Sequence, residues 1–113
     1  MKKDVTKGNL DLLLLSVIAR APGHGYAVIT ALREQSGGAF DLPEGSIYPA
    51  LHRLEDLGLL ASDWQSVAGR RRRIYRLTKR GAQALERERH SWQVLSAAVD
   101  AVINIRVTPA VAQ

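Results

Sequence analysis

The chain has no cysteine. That excludes a disulfide framework, a thiolate metal site and a cysteine nucleophile, and it fits a reducing compartment. No apolar run is long enough to span a bilayer: the richest stretch, Leu10 to Ala21, is short and interrupted by Arg20. The opening MKKDVTKGNL carries lysines, but no small-residue cleavage pattern follows. No secretory signal is therefore expected, and the protein reads as cytoplasmic. There is no phosphate-binding glycine loop, no metal-ligand spacing and no nucleophile–base constellation, so no catalysis, cofactor or metal is assigned. Glu86 and His90 lie four apart on a helix and read as a surface contact. The most informative absence is of acid. From Trp64 to Leu85 the chain has Arg70, Arg71, Arg72, Arg73, Arg76, Lys79 and Arg80 and not one Asp or Glu. Charge segregated in this way is a field aimed at a polyanion. An ordinary solvated hairpin is the plainer alternative, but four consecutive arginines repel one another unless an anion is near.

What is present is a globular composition: 113 residues, 46% hydrophobic and 24% charged, with a net charge of +5. The stretch Glu44 to Leu60, EGSIYPALHRLEDLGLL, organises the rest. Ile47, Leu51, Leu54 and Gly58 fall on one side, as in a helix that buries one stripe. Ser46, Tyr48, Pro49, His52 and Arg53 face outward, and such side chains touch phosphates and base edges. Ser46 is the expected N-cap, with Pro49 at the third helical position, where a missing N–H costs nothing. Gly58 is the expected stop.

Asn9 or Thr6 caps a first helix to about Ala21. It is apolar almost all round, so its second face is expected to meet another subunit. Pro22-Gly23 breaks the chain. His24-Gly25-Tyr26 opens a second helix to about Gln35, with His24 in a packing or capping role. A helix, a short connection and a helix with polar residues at its start form the helix-turn-helix layout. Leu60 to Val67 and Arg72 to Leu77 alternate around Ala68-Gly69, which is the pattern of a β-hairpin. Placed there, the hairpin is a wing, and its tip can set arginines against phosphates or into a minor groove. Thr78 caps a last helix from Lys79 to about Asn104. Leu85, Trp92, Leu95, Val99 and Val102 form a heptad seam on it, which argues for packing on a two-fold copy. The alternative is a long helix lying back across its own domain. The expected fold class is mainly α with a small β-hairpin. A winged helix-turn-helix DNA-binding domain occupies 1–78, a C-terminal dimerisation helix 79–106 and a flexible tail 107–113.

These residues resemble the PadR family of bacterial transcriptional regulators from about Lys7 to Leu85. The matching motifs are His24-Gly25-Tyr26, then Gly45-Ser46-Ile47-Tyr48-Pro49-Ala50-Leu51 through Arg53-Leu54-Glu55, then Gly58-Leu59-Leu60. Gly69-Arg70-Arg71-Arg72, Tyr75-Arg76-Leu77-Thr78 and Gly81 follow. Each is weak alone, and together in this order they are specific. The single helix after the wing resembles the compact branch of the family. The resemblance implies a winged-helix homodimer whose last helix packs with the partner's first helix. It also implies a third helix in the major groove and a wing on the backbone or minor groove. Family members usually repress genes for efflux or detoxification, often their own operon. Some release DNA when a planar aromatic compound binds near the dimer axis, and Trp92 matches by position the tryptophan that often lines that site.

The leading expectation is a dimeric repressor that reads a palindromic operator in double-stranded DNA. Ser46, Tyr48, Pro49, His52 and Arg53 would contact it from the helix, and Arg70, Arg71, Arg72 and Arg73 from the wing. Dimerisation falls to Leu12, Leu15, Leu85, Trp92, Leu95, Val99 and Val102. If the first and last helices meet across the dimer, any pocket for a hydrophobic or aromatic effector would be lined by Trp92, Leu12, Leu15, Leu95 and Val99. A winged-helix protein-interaction module without specific DNA binding is the alternative.

Overall fold

The computed structural model describes residues 8–106. Thr6 and the stretch assigned as a flexible tail, 107–113, lie outside them. The order is α1 (Leu10–Arg20), α2 (Gly25–Gln35), α3 (Glu44–Asp56), β1 (Leu60–Val67), β2 (Arg70–Leu77) and α4 (Lys79–Ile103). This is the mainly helical fold with one hairpin that the periodicities predict. Leu14, Ile18, Val28, Leu32, Ile47, Leu51 and Leu54 interlock as the core of α1, α2 and α3. Leu60 and Tyr75 close it from the hairpin, and Ala84 and Leu85 from the first turns of α4.

The start of α3 corrects the sequence reading. Pro43, not Ser46, is the N-cap, and its carbonyl accepts from Ser46 N–H (3.0 Å) and Ile47 N–H (3.2 Å). Pro43 is held extended, and Glu44 then places a carboxylate in the first turn, where the helix dipole favours it. The helix thus begins early, and Pro49 lies inside it, where proline forfeits a backbone bond. The other end follows expectation. Gly58 adopts φ +79°, its N–H donates to the Glu55 carbonyl (2.9 Å), and Leu59 N–H reaches back to Leu54 (3.0 Å). That pair of bonds is a Schellman stop.

The hairpin pairs Leu60 with Leu77 through to Val67 with Arg70. It is longer than the alternation suggests, because β2 begins at Arg70 rather than Arg72. Its two-residue turn has positive φ at both Ala68 (52°) and Gly69 (79°), the twist that matches a hairpin. Gly23 and Tyr75 exchange backbone bonds (3.1 and 2.9 Å), which pins the α1–α2 connection to the wing. A clasp then fixes α4. The Thr78 hydroxyl accepts from Gly81 N–H (3.0 Å) and donates to the Gly58 carbonyl (2.7 Å), while Thr78 N–H donates to Leu59 (3.1 Å). One threonine thereby caps α4 and ties it to the end of α3.

Beyond Leu85 the long helix leaves the globule. Every described residue from Glu86 onward is exposed except Ser96, which is half-buried. Trp92, Leu95, Val99 and Val102 are 46%, 55%, 44% and 74% exposed. The helix does not fold back over its own domain.

Candidate nucleic-acid interface

The outward face of α3 divides between two neighbours. Arg53 turns toward α1, where its guanidinium donates to both carboxylate oxygens of Asp11, one bond being 3.1 Å. That hydrogen-bonded carboxylate raises the pKa of Arg53. The pair is half-exposed, so it is worth at most about 1 kcal/mol. Tyr48, His52 and Glu55 turn instead toward the wing. Glu55 accepts from the Ser62 hydroxyl (2.6 Å) and from Arg73 (3.3 Å), and Arg73 Nε also donates to Ser62 (2.7 Å). This bracket sets the distance between α3 and the hairpin. Ser46, Pro49 and His52 are exposed.

The four arginines are therefore not equivalent. Arg73 is anchored to Glu55, whereas Arg70, Arg71 and Arg72 have no ion pair among the described residues. Arg71 and Arg73 both lie over the ring of Trp64, 5.3 and 5.6 Å from its centroid. Stacking of this kind orients a guanidinium while leaving its charge free. Arg76 pairs with Asp63 outside the cleft.

Between α3 and the wing lies a cleft of about 280 Å³. Tyr48, His52, Trp64, Arg71, Arg72, Arg73 and Tyr75 line it, with His24 and Gly25 from the start of α2. No carboxylate is among its lining residues. Tyr48 is half-buried because its ring lies on the backbone of Gly25. A Cβ at residue 25 would sit 2.6 Å from Tyr48 Cζ and 2.8 Å from its Oη, so only glycine admits the ring. His24 caps α2 by accepting Ala27 N–H at Nδ1 (3.2 Å), the capping role expected of it. Its place in the cleft is new. The signal available in the sequence was its position directly before the glycine that receives Tyr48.

Burial, and after it Arg72, lowers the pKa of His24 below its ordinary 6.5. The folded chain holds this imidazole neutral, so unfolding takes up a proton as the pH falls. His24 thus contributes stability that is complete above about pH 6.5 and is lost as the pH falls through the folded pKa. In urea melts at pH 7.5 and pH 5, His24→Asn, which keeps a capping oxygen, is expected to reduce the difference in midpoint between the two. An unchanged difference would remove His24 as its source.

The residues assigned to a dimer are split. Leu15 (1% exposed) and Leu85 (7%) belong to the protomer's own core and offer little surface to a partner. Leu12 packs half-buried against that core. Only Trp92, Leu95, Val99 and Val102 offer open apolar surface from that set. The residues proposed around an effector are likewise not gathered in one protomer: Leu15 is sealed in, and Trp92, Leu95 and Val99 stand on the exposed part of α4. Glu86 pairs with Arg89 (3.0 Å) rather than His90. Among the described residues no acidic–histidine cluster could hold a metal ion, and no helix is long and apolar enough to cross a membrane.

Comparison with known proteins places this geometry. A model of the PadR-like family of transcriptional regulators matches residues 14–87. Transcriptional regulator Rv3488 of Mycobacterium tuberculosis is 42% identical over 64 residues, 57% of this chain and 60% of that protein. Transcriptional regulator YqjI of Escherichia coli is 31% identical over 94 residues, which cover 83% of this chain but 44% of that protein. Among solved structures, a PadR-like transcriptional regulator from Bacillus cereus superposes with a TM-score of 0.81 at 30% identity, covering 91% of this chain and 99% of the other. A PadR family regulator from Eggerthella lenta gives 0.78 at 31%, covering 91% and 88%.

Proposed function

The chain belongs to the PadR-like family of transcriptional regulators, and from that premise we propose that it is a cytoplasmic, homodimeric repressor that reads a palindromic operator. Its targets would be efflux or detoxification genes, or its own operon. The observation that carries the reading is the acid-free cleft between α3 and the wing, where Arg71 and Arg72 stand without an ion pair among the described residues. In the proposed complex α3 enters the major groove. Ser46, Pro49 and His52 approach base edges, and Arg70, Arg71 and Arg72 meet phosphates. Arg53 and Arg73 brace α3 from either side through Asp11 and Glu55. The wing and three helices through residue 78 act as the reading unit, and α4 joins two of them. Two copies related by a two-fold would place their α3 helices about 34–36 Å apart, one turn of DNA.

The test is binding to the DNA upstream of its own gene against a scrambled duplex of equal length, over a salt series. Preference for the upstream duplex at two protomers per site is expected. Arg71→Ala and Arg72→Ala should each weaken both duplexes and lower the salt slope by about 0.9, one phosphate apiece. A slope unmoved by both substitutions would remove the wing from the interface. No binding even at low salt would favour a protein-interaction module instead.

Relief of repression by a planar aromatic compound is a second proposal, supported by the exposed indole of Trp92. The ligand must favour the DNA-free shape to act as inducer. Quenching of Trp92 that leaves DNA affinity unchanged would sink it, with Trp92→Leu separating this signal from Trp64.

A further inference from the structure

Three separate elements bring residues with hydrogen-bond donors to the lining of the cleft beside α3. His24 comes from the start of α2, Tyr48 from α3, and Arg72 from the wing. His24 Nδ1 is already occupied as an acceptor by Ala27 N–H. The ring proton therefore resides on Nε2, and His24 offers a neutral donor at its far edge. Tyr48 is fixed by the missing Cβ of Gly25, with its hydroxyl at the rim of that contact. Arg72 is half-buried and has no ion pair among the described residues. An arginine placed in this way, in a cleft without a carboxylate, asks for an anion. The cleft also flanks α3 on the side of the wing, where the backbone of a bound duplex would run.

We propose that one DNA backbone phosphate seats in this cleft, shared by His24 Nε2–H, the Tyr48 hydroxyl and the Arg72 guanidinium. The inference rests on the DNA-binding reading above and adds His24 to its contacts. One phosphate would then register α2, α3 and the wing together on the duplex. The seat positions the protein without reading sequence, because a phosphate carries no base identity.

Charge separates the partners experimentally. His24→Asn keeps the cap but removes the donor at Nε2. It is expected to weaken binding to the upstream and the scrambled duplex alike, by about tenfold, the value of a hydrogen bond to a charged group. The salt slope should stay at the wild-type value, because a neutral donor releases no counterion. Arg72→Gln should weaken binding and lower the slope by about 0.9. The double variant should lose less than the product of the two losses, since both side chains serve one phosphate. In a scan of duplexes carrying a single neutral methylphosphonate, one position per half-site should weaken the wild type but not the double variant. Far-ultraviolet circular dichroism and urea melts at pH 7.5 confirm that each variant is folded. Wild-type binding by His24→Asn, or losses that multiply in full, would overturn the shared seat while leaving the DNA-binding reading intact. Failure of the wild-type protein to bind any duplex would overturn both.

Discussion

Gly81→Ala is expected to destabilise the fold by about 3 kcal/mol, at the upper end for overpacking a tight site. A Cβ at this position would collide with the carbonyl oxygen of Leu59 and lie 2.9 Å from Leu77 Cδ1 and 3.0 Å from the Leu59 carbonyl carbon. The obstacle is mostly backbone, so no side-chain rotation relieves it. It is also backbone held by hydrogen bonds on both sides. Leu59 accepts from Thr78 N–H, and its own N–H closes the Schellman stop of α3. Thr78 simultaneously caps α4 and holds Gly58. Moving Leu59 aside would loosen the end of α3, the start of the hairpin and the root of α4 together. Gly45→Ala is the matched control, because nothing lies within 4 Å of a Cβ there. It should leave stability unchanged or raise it by up to about 1 kcal/mol, as alanine replaces glycine within a helix. Urea melts at one fixed protomer concentration check both, since dimerisation would make the midpoint depend on concentration. Equal midpoints for Gly81→Ala and the wild type would show that the clasp is slack.

The same clasp shows what a sequence discloses. Gly58 and Thr78 announce themselves as stop and cap because their signals are local: a glycine after the last periodic residue and a threonine before a new period. The hairpin is legible for the same reason, through alternation around Ala68-Gly69. The beginning of α3 is harder to place, because Ser46 has the chemistry of a cap while the backbone of Pro43 caps the helix three residues earlier. Pairings at a distance leave no periodic trace. Arg53 with Asp11, and Arg73 with Glu55 and Ser62, join residues from different elements, so the arginines looked alike until the fold separated braced ones from open ones. His24 was legible as a cap, but its cleft exists only where α2, α3 and the wing converge. Leu15 and Leu85 fit an interfacial pattern because a protomer core and a subunit seam ask for the same residue types at the same spacing.

Leu95→Glu with Val99→Glu is expected to turn the proposed dimer into a monomer and to cut affinity for the proposed operator at least a hundredfold. Both residues lie on the part of α4 that leaves the globule, 55% and 44% exposed, and neither belongs to the protomer core. The fold of each protomer should therefore survive, with its urea transition still cooperative. What changes is the seam. Trp92, Leu95, Val99 and Val102 follow heptad spacing along an otherwise solvated helix, and a partner burying them gains about 25 cal/mol for each Å² of apolar surface covered. Two carboxylates on each copy would instead face one another across the two-fold, without the water that solvates them in the monomer. A single protomer carries one α3 and reaches one half-site, so it loses the second set of contacts that a palindrome supplies. Its non-specific binding should fall less, because the cleft and Arg70 to Arg72 are intact. Light scattering on the eluting protein gives the mass, and the operator titration gives the affinity. A double variant that remains dimeric would place the interface elsewhere. A monomer that binds the operator as tightly as the wild type would show that dimerisation is not how this protein reads DNA.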